Sequence, residues 1–457
     1  MNTPTSGELD RLILDSAQEA NILPIISRCG EGCVFCSHKN NPPEIAVHSV
    51  GARSVDEVAR TIAFLDPGRV ITIGESATTI IEGEPLAHPR FREILALVRR
   101  VHPVAPVEVT TNGGRLTAEM VEFLESVGDV TVNVSLNSAS ARGRLLLMGE
   151  GPGRAERAIE GVRLLGRSTV AFSGSLVAMP HLVGWEDIRE TVEFLAANGA
   201  TVVRVVTPAF SGLADAVSLA ATKDLYPELR RFVEGLPDDL PCPVLLEPSC
   251  PGDLVPRVSG VLKASPAWEA GVRRGDVFES VGGRKPRCRV EAWQWLAAAG
   301  PVSAVVDRAG AARAVAWTNP AGGDAGVTME YDFDPGRMER LAEVLAAGQG
   351  RSLLLTSVLG HAVVTAVLKA LGCGPDAAQA AAVTNRTFGG TIAAAGLLTV
   401  DDYLAAYEEW RASAPLEAPE PAQIILPQES FDRRGFDLKR VHASHLQRLT
   451  GVRVLLS

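Results

Sequence analysis

Near its start the chain places three cysteines within twelve residues, Ser27-Arg-Cys-Gly-Glu-Gly-Cys-Val-Phe-Cys-Ser-His38. The spacing is C-x3-C-x2-C. Three thiolates this close can hold three irons of a 4Fe–4S cluster. No fourth cysteine follows nearby, so one iron is left for a ligand from outside the protein. The glycines beside Cys29 and Cys33 suit a loop that wraps a cluster, because glycine tolerates positive φ. Zinc fits less well. It usually takes four protein ligands in paired knuckles, and no second knuckle exists.

The remaining composition narrows the setting. A chain of 457 residues has a length prior of about three domains. It is 46% hydrophobic and 21% charged, enough for sizeable packed cores. The net charge of −10, without a basic run and with 5% aromatics, predicts no nucleic-acid surface. Seven cysteines are too few for a disulfide framework, and a cluster motif wants a reducing compartment. The first residues are acidic and lack a long apolar core, so no secretory signal is expected. The longest apolar stretch, Leu353 to Leu368, is short for a membrane span and contains His361. A soluble, cytoplasmic protein is the expectation.

Residues 1–245 alternate strand and helix patterns. Ser54-Val-Asp-Glu57 is a capping box ahead of a helix with Val55, Val58, Ile62 and Leu65 on one face. Strands are predicted at Arg69 to Gly74, Val107 to Thr111, Val130 to Leu136, Val170 to Met179 and Val202 to Thr207. Helices are predicted at Phe91 to Val101, from Thr117 to Gly128, and at Trp185 to Ala197. This alternation predicts an α/β fold, a partial (β/α)6 barrel whose ligands sit at the C-terminal ends of the strands. Residues 237–252 hold five prolines and read as a linker.

The cysteine run, with Phe35 before the last cysteine, resembles the signature of the radical S-adenosylmethionine (SAM) superfamily. Glu82-Gly-Glu-Pro-Leu-Ala-His-Pro89 resembles that family's Gly-Gly-Glu-Pro motif. The resemblance implies a 4Fe–4S cluster on Cys29, Cys33 and Cys36, with SAM on the open iron. A reduced cluster then cleaves SAM to a 5′-deoxyadenosyl radical, which abstracts hydrogen from a small-molecule substrate. A reducing partner such as flavodoxin or ferredoxin is implied as well. Gly83 and Glu84 are the candidates for the amino group of SAM, with Glu75 as the alternative carboxylate. Ser135, Asn137 and Ser175 are candidates for the ribose or adenine. Arg142 is chosen over Arg144 to pair a carboxylate of SAM or substrate.

Residues 253–320 resemble a small, β-rich PDZ domain of the bacterial type. Ser265-Pro266-Ala267, Glu269-Ala270-Gly271, Gly275-Asp276-Val277 and the Gly282-Gly283 turn carry the likeness. It implies a sheet edge able to take a peptide or protein partner. Residues 325–457 resemble the C-terminal α/β domain of unknown role that accompanies PDZ modules in one group of radical SAM proteins. Asn385, Phe388-Gly389, Gly396-Leu397-Leu398-Thr399 and the closing Asp437 to Val454 segment carry that likeness. Two other functions stay open: a peptide- or protein-modifying enzyme that uses the PDZ-like module for recognition, and a non-catalytic iron–sulfur scaffold or electron carrier. Cys242, Cys250, Cys288 and Cys373 read as inert thiols.

Overall fold

Six strands lie parallel in chain order: β1 (Ile71–Ile73), β2 (Val107–Thr111), β3 (Val130–Ser135), β4 (Phe172–Val177), β5 (Val203–Val206) and β6 (Val244–Glu247). Each is hydrogen-bonded to the next. A doubly wound sheet would reverse its strand order at a switch point. This one does not, and its order is that of a barrel left open. The computed structural model describes residues 6–75, 79–321, 323–348, 350–413 and 419–457.

The six strands belong to a first unit, made of the chain through Lys39, Ile45–Pro208 and Asp224–Glu247. Its helices are α1 (Ser6–Ala20), α2 (Val55–Ile62), α3 (Phe91–Val101), α4 (Ala118–Val127), α5 (Ala141–Met148), α6 (Pro152–Leu165), α7 (Pro180–Ala197) and α8 (Leu225–Glu234). Local signals fix several of them. Ser54 and Glu57 close the expected capping box on α2. Thr117 accepts from Met120 N at the start of α4. Gly184, at φ 84°, breaks α7 just before the segment the sequence predicts as helix.

The sheet sorts its side chains by face. Val109, Val132, Val134, Val203 and Val205 are fully buried on one side. Helix α7 packs there: a Cβ on Gly174 would meet Leu195 Cδ1 at 2.6 Å. Residues one step out of phase point the other way. These are Glu108, Thr110, Asn133, Ser135, Ser173, Ser175, Arg204 and Glu247. A filled barrel carries bulky branched side chains on that inner face; here much of the face is polar or charged, and Val177, Val206 and Leu245 share it.

One sequence expectation is corrected. Residues 237–252 are not a linker throughout, because Val244–Glu247 is the sixth strand of the sheet. Prolines on both sides conceal it. Proline is tolerated at a strand's ends and beside an edge strand, where no ladder hydrogen bond is lost.

The second unit comprises Asn40–Glu44, Ala209–Lys223 and Pro248–Ser457. It contains an antiparallel meander, β7 (Val277–Val281), β8 (Gly300–Arg308) and β9 (Ala311–Asn319), with α9 (Arg289–Ala297). Phe278, Leu296, Val306 and Trp317 belong to one core. Further along, β10 (Ser352–Ser357), β11 (Ala378–Val383), β12 (Gln423–Leu426) and β13 (Arg453–Leu456) form a parallel sheet in the order β11-β10-β12-β13. Its core includes Leu355, Tyr403 and Ile424. The Leu353 to Leu368 stretch is β10 followed by a helix. Among the described residues no helix is long and apolar enough to cross a membrane.

Candidate active site

The chain reaches the cysteines along the edge of the sheet. Leu23 N donates to Thr72 O at 2.9 Å, and Thr72 N to Asn21 O at 3.0 Å. The next residues are gripped by the turn at 82–84. Gly83 N donates to Ile26 O at 2.6 Å, and Glu84 N to Arg28 O at 3.1 Å. Gly83 must be glycine for this: an added Cβ would stand 2.2 Å from Arg28 O. The cysteine loop is then held from its far side. Gly32 N donates to Met148 O and Val34 N to Leu147 O, both at 2.9 Å, so the last turn of α5 brackets Cys33. Arg154 on α6 forms an ion pair with Glu31. Lys39 Nζ donates to Cys33 O at 2.7 Å.

All three thiols are free. Burial, then the nearby Glu84 and Cys36, push Cys29 up to about 11. Burial and the neighbouring Cys29 and Cys36 push Cys33 up to about 12. The thiols therefore share one small region in which their anionic forms oppose one another. A bound cationic group relieves that opposition. Among the described residues no three His, Cys, Asp or Glu side chains converge to hold a single metal ion. A 4Fe–4S cluster asks for something different, one thiolate on each of three irons. The loop fits that demand. The other four cysteines are also free, with Cys242 and Cys288 buried.

Two carboxylates organise the turn. Glu84 is buried, and its oxygens accept from Thr111 Oγ1 at 2.7 Å, Asn112 N at 2.8 Å and Leu86 N at 3.1 Å. Burial pushes its pKa up against the pull of these donors. Replacing Glu84 by alanine is expected to destabilise the fold by about 1–3 kcal/mol in urea denaturation, since buried donors lose their acceptor.

Glu82 accepts from Ile25 N at 3.0 Å and Ile26 N at 3.2 Å. Burial raises its pKa from the usual 4.5 to about 8. The folded state thus prefers the protonated acid. Stability is fullest below the unfolded pKa and falls as pH rises towards 8, by about 1.4 kcal/mol per unit. Glu82→Gln is expected to flatten that dependence, measured by urea denaturation at acidic and neutral pH.

The inner face carries a continuous hydrogen-bonded chain. Arg204 Nη2 donates to Ser173 Oγ at 3.3 Å, and Ser173 Oγ to Asn133 Oδ1 at 3.2 Å. Asn133 Nδ2 donates to Thr110 Oγ1 at 3.3 Å, and Thr110 Oγ1 to Glu75 Oε1 at 3.0 Å. Burial raises the pKa of Glu108 and of Glu247, Arg204 opposes the rise, and Glu75 adds to it.

The sequence candidates fall in three places. Gly83 and Glu84 lie against the cysteine loop, whereas Glu75 lies on the inner-face chain. Ser135 and Ser175 hydrogen-bond each other at 3.1 Å. Asn137 stands beyond the end of β3 at φ 62°, rather than continuing its face. Its Nδ2 donates to Ser135 O at 2.9 Å and its Oδ1 accepts from Val177 N at 3.0 Å. Arg142 is exposed on α5, whereas Arg144 is fully buried. Sequence reasoning missed Glu82, Glu108, Arg204 and Glu247. The only signal for Arg204 was one charged residue inside the apolar run Val202-Val-Arg-Val-Val206. A cavity of about 520 Å³ beside the loop is lined by Gly30, Glu31, Glu84, Asn112, Arg115 and Arg154, among others.

The family comparison bears on the first unit. Residues 23–195 match the Radical SAM superfamily. Radical SAM enzymes use a 4Fe–4S cluster and SAM, and the match covers both the cysteine loop and the turn at 82–84. It supports an enzyme whose reaction is unspecified. GTP 3′,8-cyclase of Klebsiella pneumoniae is 36% identical over 121 residues, which are 26% of this chain and 34% of that one. GTP 3′,8-cyclase of Cronobacter sakazakii is 32% identical over 121 residues, with the same coverage. The chain thus spans about a third of the length of these curated relatives. The crystal structure of Streptococcus suis SuiB bound to S-adenosylmethionine aligns over 55% of this chain and 58% of that one, at 17% identity and a TM-score of 0.37.

Proposed function

We propose that this protein is a radical SAM enzyme acting on a small polar molecule held against the inner face of the barrel strands. The observation that carries the reading is the cysteine loop, clamped between the turn at 82–84 and the end of α5. When bound, the cluster and SAM supply a carbon radical for hydrogen abstraction. Cys29, Cys33 and Cys36 hold the irons. Gly83 lets the loop pass close to the turn, and Glu84 keeps that turn in place, because its carboxylate already takes three donors. The hydroxyls of Ser135 and Ser175 and the amide of Asn137 serve the nucleoside. Arg142, exposed on α5, offers a guanidinium fork to a carboxylate. Thr110, Asn133, Ser173 and Arg204 orient the substrate from their shared chain, and Glu108 and Glu247 flank it. The polar groups of the inner face offer hydrogen-bond partners to such a molecule. The PDZ-like segment, residues 253–320, serves to dock a peptide or protein partner. A one-electron donor protein of the flavodoxin or ferredoxin kind supplies the reductant.

The reading is tested by anaerobic reconstitution with iron and sulfide, followed by electron paramagnetic resonance with and without SAM. Four irons per chain and a spectrum altered by SAM are expected. Ser175→Ala is expected to weaken SAM binding about tenfold, the loss of roughly one good hydrogen bond. A loaded cluster blind to SAM would overturn the reading.

A further inference from the structure

The most deeply buried charges of the first unit take no part in the chemistry above. The side chains of Arg144 and Glu150 are both 0% exposed. Arg144 Nε donates to Glu150 Oε2 at 2.6 Å, and Nη2 to Glu150 Oε1 at 2.9 Å. Nη2 also donates to Asn112 O at 2.9 Å, and Nη1 to Leu136 O. Those two carbonyls follow the C-terminal ends of adjacent strands, β2 and β3.

Stability alone does not explain such a pair. Desolvating both charges offsets most of their attraction, and an apolar pair of equal volume often does as well. An apolar pair lacks direction, however. A guanidinium is a rigid fork that fixes several acceptors at set angles. Here it fixes one helix against two strand ends. Arg144 lies on α5, and the last turn of that helix accepts from Gly32 N and Val34 N, either side of Cys33. One of the strand ends leads back to the turn at 82–84, because Asn112 N donates to Glu84 Oε2 at 2.8 Å. The guanidinium therefore joins both clamps on the cysteine loop.

We propose that Arg144, oriented by Glu150, is the positioning residue that sets the cysteine loop against the strand ends and so tunes the cluster held there. The part about the cluster rests on the radical SAM reading; the part about the loop does not.

Two variants test it: Arg144→Met combined with Glu150→Leu, and Arg144→Lys alone. The first removes both charges at similar volume. The second keeps a charge but loses the fork, and it decides the matter if the first does not fold. Two quantities are read. One is amide hydrogen exchange in the iron-free protein at Gly32 and Val34, with Val109 in β2 as the internal reference. The other is the midpoint potential and paramagnetic spectrum of the reconstituted cluster. Exchange at Gly32 and Val34 is expected to rise about tenfold or more while Val109 is unchanged. The potential and spectrum are expected to move with it. A folded variant with native exchange at both amides and a native cluster potential would overturn the proposal, leaving the pair a packing feature. Failure of the native protein to build a cluster would count against the radical SAM reading, whereas the exchange result would still decide the positioning role.

Discussion

Alanine in place of Cys33 is expected to abolish iron–sulfur loading altogether, read as loss of bound iron and of the paramagnetic signal after reconstitution. The expectation follows from the ligand count. Three thiolates hold three irons, and the fourth iron has no protein thiolate in the motif. Removing one thiolate leaves two irons without one. Cys242 and Cys288 are buried and so are poor substitutes. Cys33 is the sharpest choice, since α5 brackets it through Gly32 and Val34. The protein should still fold, because the loop's backbone bonds do not use the thiol. A Cys33→Ala variant with native iron content and spectrum would place the cluster on other residues.

The second large effect belongs to Gly83. A Cβ there would sit 2.2 Å from Arg28 O and 2.4 Å from Arg28 C, with a third contact, Arg28 N, at 2.8 Å. All three are backbone atoms, so no side chain can swing away. Gly83→Ala is expected to cost about 3 kcal/mol or more by the usual measure of overpacking. It should also disturb the residue just before Cys29. Urea denaturation gives the stability loss, and iron content after reconstitution gives the loop's fate. Gly174→Ala is the useful comparison, because the contact there is Leu195 Cδ1, the end of a side chain. It should destabilise less and leave iron loading intact. Equal iron loss in both variants would mean that crowding at Gly83 does not act through the loop.

Much of the first unit was legible because its signals are local. Phe91–Val101 and Val107–Thr111 have the bounds that apolar periodicity predicts. The capping box at Ser54 and the cap at Thr117 likewise need only their own few residues. The strand Val244–Glu247 was hidden because proline density is a local signal for a linker, while its pairing with β5 is a tertiary fact. The candidate site divides in the same way. Three cysteines in one loop announce themselves. The inner-face chain from Glu75 to Arg204 runs across four strands, and its partners are set by register. Arg142 and Arg144 look alike in sequence, two residues apart on one short helix. Only the packing of α5 makes one exposed and the other a buried hub. Gly83 reads as part of a motif, but the reason it must be glycine, the backbone of Arg28, lies more than fifty residues earlier in the chain.

The measurement that tests the central claim most directly is anaerobic SAM cleavage. The reconstituted protein is reduced with dithionite and given SAM, and the products are read by mass spectrometry beside a Cys29/Cys33/Cys36→Ala control. The account predicts 5′-deoxyadenosine and methionine in equal amounts from the native protein and neither from the control. A fully loaded cluster that binds no SAM and yields neither product, with or without candidate substrates, would contradict it and leave an iron–sulfur scaffold.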